Sequence, residues 1–171
     1  MKKQRDNYTF LTHAPVHRVI VSMAVPTIIS MLVTSIYGMV DTYYVGQINT
    51  QSTAAVGISF SIMTIIQAIG FFFGHGSGNY ISRMLGAKRT DEAKYMAATG
   101  LVGSVAFGLA VAVVGLAFLS DICIFLGSTE TILPYAERYL GIILVGAPFM
   151  TGAFTLNNQM RFQGNAKYAM Y

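Results

Sequence analysis

VIVSMAVPTIISMLVTSIYGMVDTYYV, residues 19–45, decides the fold. Between Arg18 and Asp41 stand 22 residues without a formal charge. At ~1.5 Å rise per residue, a helix of that length crosses a hydrocarbon layer of about 30 Å. The stretch is not evenly apolar. Thr27, Ser30, Thr34, Tyr37, Asp41 and Tyr44 recur at helical spacing and share one face, while Ile28, Ile29, Met31, Leu32, Val33 and Ile36 cover the others. An isolated carboxylate in hydrocarbon costs several kcal/mol, so Asp41 is expected to look into a bundle or a wet cavity. The alternative is an acid just outside the membrane. Tyr43, Tyr44 and Val45 follow Asp41 and favour the deeper position, because aromatic residues belong at the interface.

Composition agrees. Charged residues make up 11% of the 171-residue chain and hydrophobic ones 54%, whereas soluble domains carry about 25% charge. So few charges cannot cover a water-facing surface, and an integral membrane protein is expected. The net charge of +4 is spread over short segments rather than gathered into a patch, which argues against nucleic acid. The lone Cys123 excludes an internal disulfide and is expected to pack as a small apolar residue. His13, His17 and His75 are too scattered for a metal site. The first apolar run is too long for a signal-peptide core and no small-residue cleavage site follows it.

Outward from the first span, a basic lead-in occupies residues 1–18 and an uncharged turn residues 47–53. A second span is expected over 54–80, a charged loop over 82–94 with a helix start at Thr90 and Asp91, and a third span over 95–119. An outer loop over 121–138 leads to a fourth span over 139–160. Pro26 and Pro148 lie inside the first and fourth spans, where a helix can bend. Gly70, Gly74 and Gly78 repeat at four-residue spacing, which lets two helix backbones approach closely. The third span, with Gly100, Gly103, Gly108 and Gly115, reads as tightly packed. His75 reads either as a structural hydrogen-bonding group near the membrane edge or as a proton relay. Of 11 Lys and Arg residues, four fall in residues 1–18, four in 82–94 and two in 161–171, leaving only Arg138 on the other side. The positive-inside rule then puts the N-terminus and both basic loops in the cytoplasm.

Asp41 lies about one turn, ~6 Å, below the outer boundary. Ser59, Ser61 and Tyr139 match that depth; Asn157 and Asn158 lie toward the other end of the fourth span. No nucleophile–base pair, metal-ligand spacing or phosphate loop is present, so an enzyme is not expected. The glycine run lacks the strand context of nucleotide binding.

Three stretches in order carry a family resemblance. VDTYYVGQINTQSTAAVG (40–57), GSGNYISRMLGAKRTDEA (76–93) and GAPFMTGAFTLNNQMRFQGNAKYAM (146–170) resemble the first span and loop, the second-span exit, and the fourth span of multidrug and toxic compound extrusion (MATE) transporters. The resemblance implies an all-α integral membrane fold. Its four transmembrane helices form part of a six-helix N-terminal lobe in a twelve-helix transporter, with residues 19–171 a partial lobe. It implies export of cationic amphiphilic small molecules in exchange for sodium or protons across the cytoplasmic membrane. That coupling ion is transported and is not a cofactor. Asp41 matches the family's cation-coupling acid, and Asn157 or Asn158 an amide of the same polar network, with Tyr139 beside them. Candidate cavity-lining residues are Thr34, Tyr37, Ser61, Gln67, Tyr139, Asn157 and Asn158. The expected partners are the lipid bilayer, the transported compounds and the remaining C-terminal portion of the transporter. Phe71, Phe72, Phe73, Phe149, Met150 and Phe154 suit flat apolar compounds, or else lipid and helix contacts. The alternatives are a small four-span structural membrane protein and a half-transporter that dimerises.

Overall fold

The computed structural model describes residues 13–164, among which every regular element is a helix. The helices are α1 (Val16–Gly46), α2 (Thr50–Gly86), α3 (Thr90–Ala117), the short α4 (Leu119–Phe125) and α5 (Leu133–Phe162). Four of them, α1, α2, α3 and α5, are long and apolar enough to cross a membrane. Lys2, Lys3, Arg5 and Lys167, used in the charge count above, lie outside the described residues.

The spans are longer than expected. α2 continues through Arg83 to Gly86 and α3 begins at Thr90, so the charged loop shrinks to residues 87–89. Lys88 takes a positive φ of 59° to make that turn. Asp91 and Glu92 occupy the first turn of α3, where negative charge suits the helix dipole. The loop expected over 121–138 is largely helical: α4 fills its start, and α5 begins six residues early, at Leu133 with Pro134 behind it. Apolarity reports where a helix is greasy, not where its hydrogen bonds stop, so polar end turns escape a hydropathy reading. The turn expected over 47–53 also tightens. Asn49 caps α2, its Oδ1 accepting from the Ser52 backbone N–H at 2.6 Å.

Glycine register fixes the topology. Gly70, Gly74 and Gly78 of α2 face Phe154, Asn158 and Phe162 of α5. Both series rise together, so α2 and α5 run parallel. Along α3, Gly100, Gly103, Gly108 and Gly115 face Gln159 with Ser77, then Phe73, Thr151 and Leu144. These partners fall as α3 rises, so α3 runs antiparallel to both. A Cβ on Gly74 would lie 2.8 Å from Asn158 Cβ, and one on Gly108 2.8 Å from Pro148 Cα. Any larger side chain would force the helices apart.

Hydrogen bonds complete the α2–α3–α5 bundle. Thr151 Oγ1 donates to the Ser104 carbonyl at 3.0 Å, and Thr155 Oγ1 to the Gly70 carbonyl at 3.2 Å. One turn further, Gln159 Nε2 donates to Ser77 Oγ at 2.9 Å and to the Ala97 carbonyl at 3.2 Å. All three donors are buried and follow one another at four-residue steps along α5. Ile66, Leu140, Leu144 and Ala147 fill the apolar part of the core. α1 stands apart: none of its residues is buried, and its packing is chiefly on α2.

Candidate functional site

α1 satisfies its own hydroxyls. Ser22, Thr27, Thr34 and Thr42 each donate to a carbonyl three or four residues back, at 2.9–3.2 Å. None of them demands a partner from another helix. Asp41 cannot be satisfied this way, because a carboxylate is an acceptor and the N–H groups around it are already engaged in the helix. It is half-buried. Among the described residues it has neither a hydrogen bond nor an ion pair.

Tyr139, in the second turn of α5, lies within electrostatic reach of Asp41 and Tyr37. Tyr37 is 73% exposed and Thr34 is exposed on the same stripe. The other depth-matched groups lie on α2. Ser59 is buried in the bundle and donates to the Ala55 carbonyl at 2.8 Å. Ser61 is exposed and sits about 120° around α2 from Gln67, on the side of Ile65 and Phe72. Gln67 is half-buried beside the α2–α5 seam.

The two asparagines separate. Asn158 is buried against Gly74, its Nδ2 donating to the Phe154 carbonyl at 2.8 Å. It belongs to the α2–α5 contact. Asn157 lies eighteen residues after Tyr139, five full turns at 3.6 residues each, so both project from one face of α5 about 27 Å apart. That arithmetic is available from sequence. What it lacked was knowledge of which face was already occupied by α2. Gln159, the donor that ties α5 to both neighbours, was not among the expected site residues.

Phe71 and Phe154 meet edge to face at 5.6 Å across the seam, whereas Phe72 and Phe149 are exposed at 74% and 79%. Phe73 is turned the other way, against Gly103 and Phe107. A groove of about 340 Å³ lies between α2 and α3, lined by Ile62, Ile65, Phe107, Val114, Leu140 and Leu144 among others. It carries no ionisable side chain. Among the described residues no three His, Cys, Asp or Glu side chains gather to hold a metal.

In the short α4, outside the spans, Cys123 is fully buried. Burial first, and the nearby Glu137 charge second, push its thiol above the usual range. Glu137 is itself occupied, accepting a hydrogen bond from Ser120 Oγ.

Residues 26–171 match the MatE family. The multidrug export protein MepA of Staphylococcus aureus strain MRSA252 is 32% identical over 117 residues, covering 68% of this chain and 26% of MepA. MepA of Staphylococcus haemolyticus strain JCSC1435 is also 32% identical over 117 residues, with the same 68% and 26% coverage. The chain therefore spans about a quarter of the length of these curated relatives. Among solved structures, MATE in the straight conformation superposes with a TM-score of 0.83 at 27% identity, over 89% of this chain and 34% of that one. A MOP superfamily transporter from Pyrococcus furiosus gives 0.83 and 27%, over 89% and 34%. A MATE mutant gives 0.89 and 26%, over 96% and 36%. With apolar helices, glycine-sealed packing and a family match over most of its length in agreement, the chain is a multi-pass membrane protein and belongs to the MatE family of transporters.

Proposed function

We propose that this chain supplies the first four spans of a multidrug exporter, which expels cationic amphiphilic compounds across the cytoplasmic membrane in exchange for protons or sodium. Asp41 is its coupling group. The observation that carries this reading is a half-buried carboxylate with no hydrogen-bond or ionic partner among the described residues, on the one long helix that leaves no residue buried. An ionised carboxylate there costs several kcal/mol. A bound proton or sodium ion removes that cost, and when the ion departs, a cationic compound can replace it as the counter-charge. Tyr139 and Tyr37 stand within electrostatic reach and supply hydroxyls to the same place. Thr34, Gln67 and Asn157 extend the lining along the seam, while Ser61 and Asn158 are turned elsewhere. Residues 1–18, with the two basic turns, face the cytoplasm by the charge count above.

Pro26 gives α1 a point of bending, since it leaves the Ser22 carbonyl without its helical N–H partner. MepA carries multidrug export in its name, and related MATE structures exist in straight and bent conformations. Both facts support the reading. The test is ethidium efflux from cells that express the transporter carrying these spans. Asp41→Asn is expected to abolish the dependence of efflux on the ion gradient. Unchanged efflux with unchanged gradient dependence would remove Asp41 from the mechanism.

A further inference from the structure

The groove of about 340 Å³ between α2 and α3 is lined by apolar residues throughout. Ile62 and Ile65 of α2 form one wall, Val111 and Val114 of α3 the other, and the buried Leu140 and Leu144 of α5 the floor. One end stops at Phe107. Its ring meets Phe73 at 5.4 Å, and Phe73 also lies over Gly103, which closes the gap between the two helices there. The other end reaches Ile122 of α4. Gly115 follows Phe107 by eight residues, ~12 Å along α3, and half of a hydrocarbon core is about 15 Å. The groove is therefore about one leaflet deep, closed toward the midplane and open at the α4 end. A further transmembrane helix does not fit it, because such a helix needs a seam across about 30 Å. The seams of this bundle also close on glycines, and the groove's one glycine, Gly115, is already covered: a Cβ there would stand 2.6 Å from Leu144 Cδ2. An acyl chain has both the reach and the chemistry. At the open end Phe118, Ile124 and Phe125 are 57%, 56% and 89% exposed, which suits the boundary between headgroups and acyl chains rather than water.

Charge at the mouth selects the headgroup. Asp121, exposed on α4, directly precedes Ile122, and Glu137 stands one turn before Leu140 on α5. Ser120 Oγ donates to Glu137 and ties α4 to α5. Among the described residues Arg138 is the only Lys or Arg at this end of the bundle. We propose that the groove seats one acyl chain of a phosphatidylethanolamine, with the lipid's ammonium beside Asp121 and Glu137. Phosphatidylglycerol offers the same chain under a net negative headgroup, which the two carboxylates repel. Naming the leaflet as the outer one rests on the orientation proposed above; the seating of the lipid does not.

The test uses fluorescence quenching by phosphatidylethanolamine brominated on its acyl chains, mixed into phosphatidylglycerol bilayers that hold the 171-residue chain. The chain has no Trp, so one introduced Trp reports alone. Val114→Trp and, on the facing wall, Ile65→Trp probe the groove. Val102→Trp, 68% exposed on the other half of α3, probes ordinary lipid. Quenching at both groove positions is expected to correspond to phosphatidylethanolamine enriched about fivefold over its share of the bilayer, the scale of one charge contact at a membrane surface. At Val102→Trp it should follow the bulk share. Asp121→Asn, an exposed change, should bring the groove values toward bulk, and so should Ala110→Phe, which fills the groove from an exposed position on its wall. Equal quenching at groove and control positions, or an enrichment that survives Asp121→Asn unchanged, overturns the proposal. No ion gradient or transported compound enters the measurement, so it can fail while Asp41 couples transport, and succeed while Asp41 does not.

Discussion

α1 and α5 are nearly the same length, 31 and 30 residues, and each contains one proline well inside it, yet α1 has no buried residue and α5 has nine. Both are apolar enough to cross a membrane, and the less buried α1 is the more apolar of the two. Lipid tails are as apolar as leucine, so greasy surface alone gives one membrane helix no reason to seek another. Close backbone approach and hydrogen bonds across helices do. α5 meets glycines on both neighbours and sends Thr151, Thr155 and Gln159 to carbonyls or hydroxyls beyond its own backbone. α1 turns its hydroxyls onto itself, and its Gly38 has open space where a side chain would stand. The sealed bundle is a frame. α1 carries Asp41 and has no residue buried against the other described helices.

The contrast breaks most visibly at the glycines. Gly108→Leu drives a side chain into Thr151 and the Pro148 backbone, and is expected to cost about 3 kcal/mol or more. Gly38→Leu on α1 meets nothing and should leave stability within about 1 kcal/mol of the parent, on the favourable side if helix propensity dominates. Unfolding of the purified chain in detergent, followed by circular dichroism, compares the two. Equal effects would mean that α1 is packed as tightly as α5.

A smaller difference is expected between polar substitutions. Gln159→Leu removes the donor shared by Ser77 and the Ala97 carbonyl and should cost about 1–2 kcal/mol. Thr34→Val on α1 gives up only a bond to its own helix and should stay within about 0.5 kcal/mol. Denaturant midpoints measured side by side decide this, and an inert Gln159→Leu would show that glycine packing suffices without the cross-helix bonds.

Thiol chemistry sharpens the same contrast without changing the fold. The Cys123 thiol is buried and held above its usual range, so little thiolate exists near neutrality, and raising the pH increases it only later than for a free thiol. With a Cys123→Ala background, Tyr37→Cys places a thiol on the exposed stripe of α1. Maleimide labelling at neutral pH is expected to be about tenfold or more slower at Cys123 than at this site. Comparable rates would mean that the outer end of the bundle opens readily.

How much could be read in advance depends on the range of the interaction. The expected spans each find a helix in the structure, and the glycine spacing marks where helices close. Tyr139 was singled out by depth, and the Asp41 charge acts on it. The helix start at Thr90 was legible, but the ends at Gly86 and Leu133 were not, because charged and polar residues can continue a helix once it leaves the hydrocarbon layer. The choice between Asn157 and Asn158 stayed open, since adjacent residues differ by only about 100° around a helix. It takes the position of a neighbour to say which of them is covered.

By itself the sequence determined that the chain enters the membrane, how often its helices cross it, and that one acid lies on the polar stripe of the first span. Length and apolarity are properties of a segment alone, so they survive without knowledge of neighbours. Only the tertiary structure decided that α2, α3 and α5 close on one another while no residue of α1 is buried, that Gln159 ties three helices together, and that Ser59 and Asn158 are buried in the bundle while Ser61 is exposed. Those outcomes depend on register between helices distant in the chain, where a rotation of one residue moves a side chain from a seam to an open face.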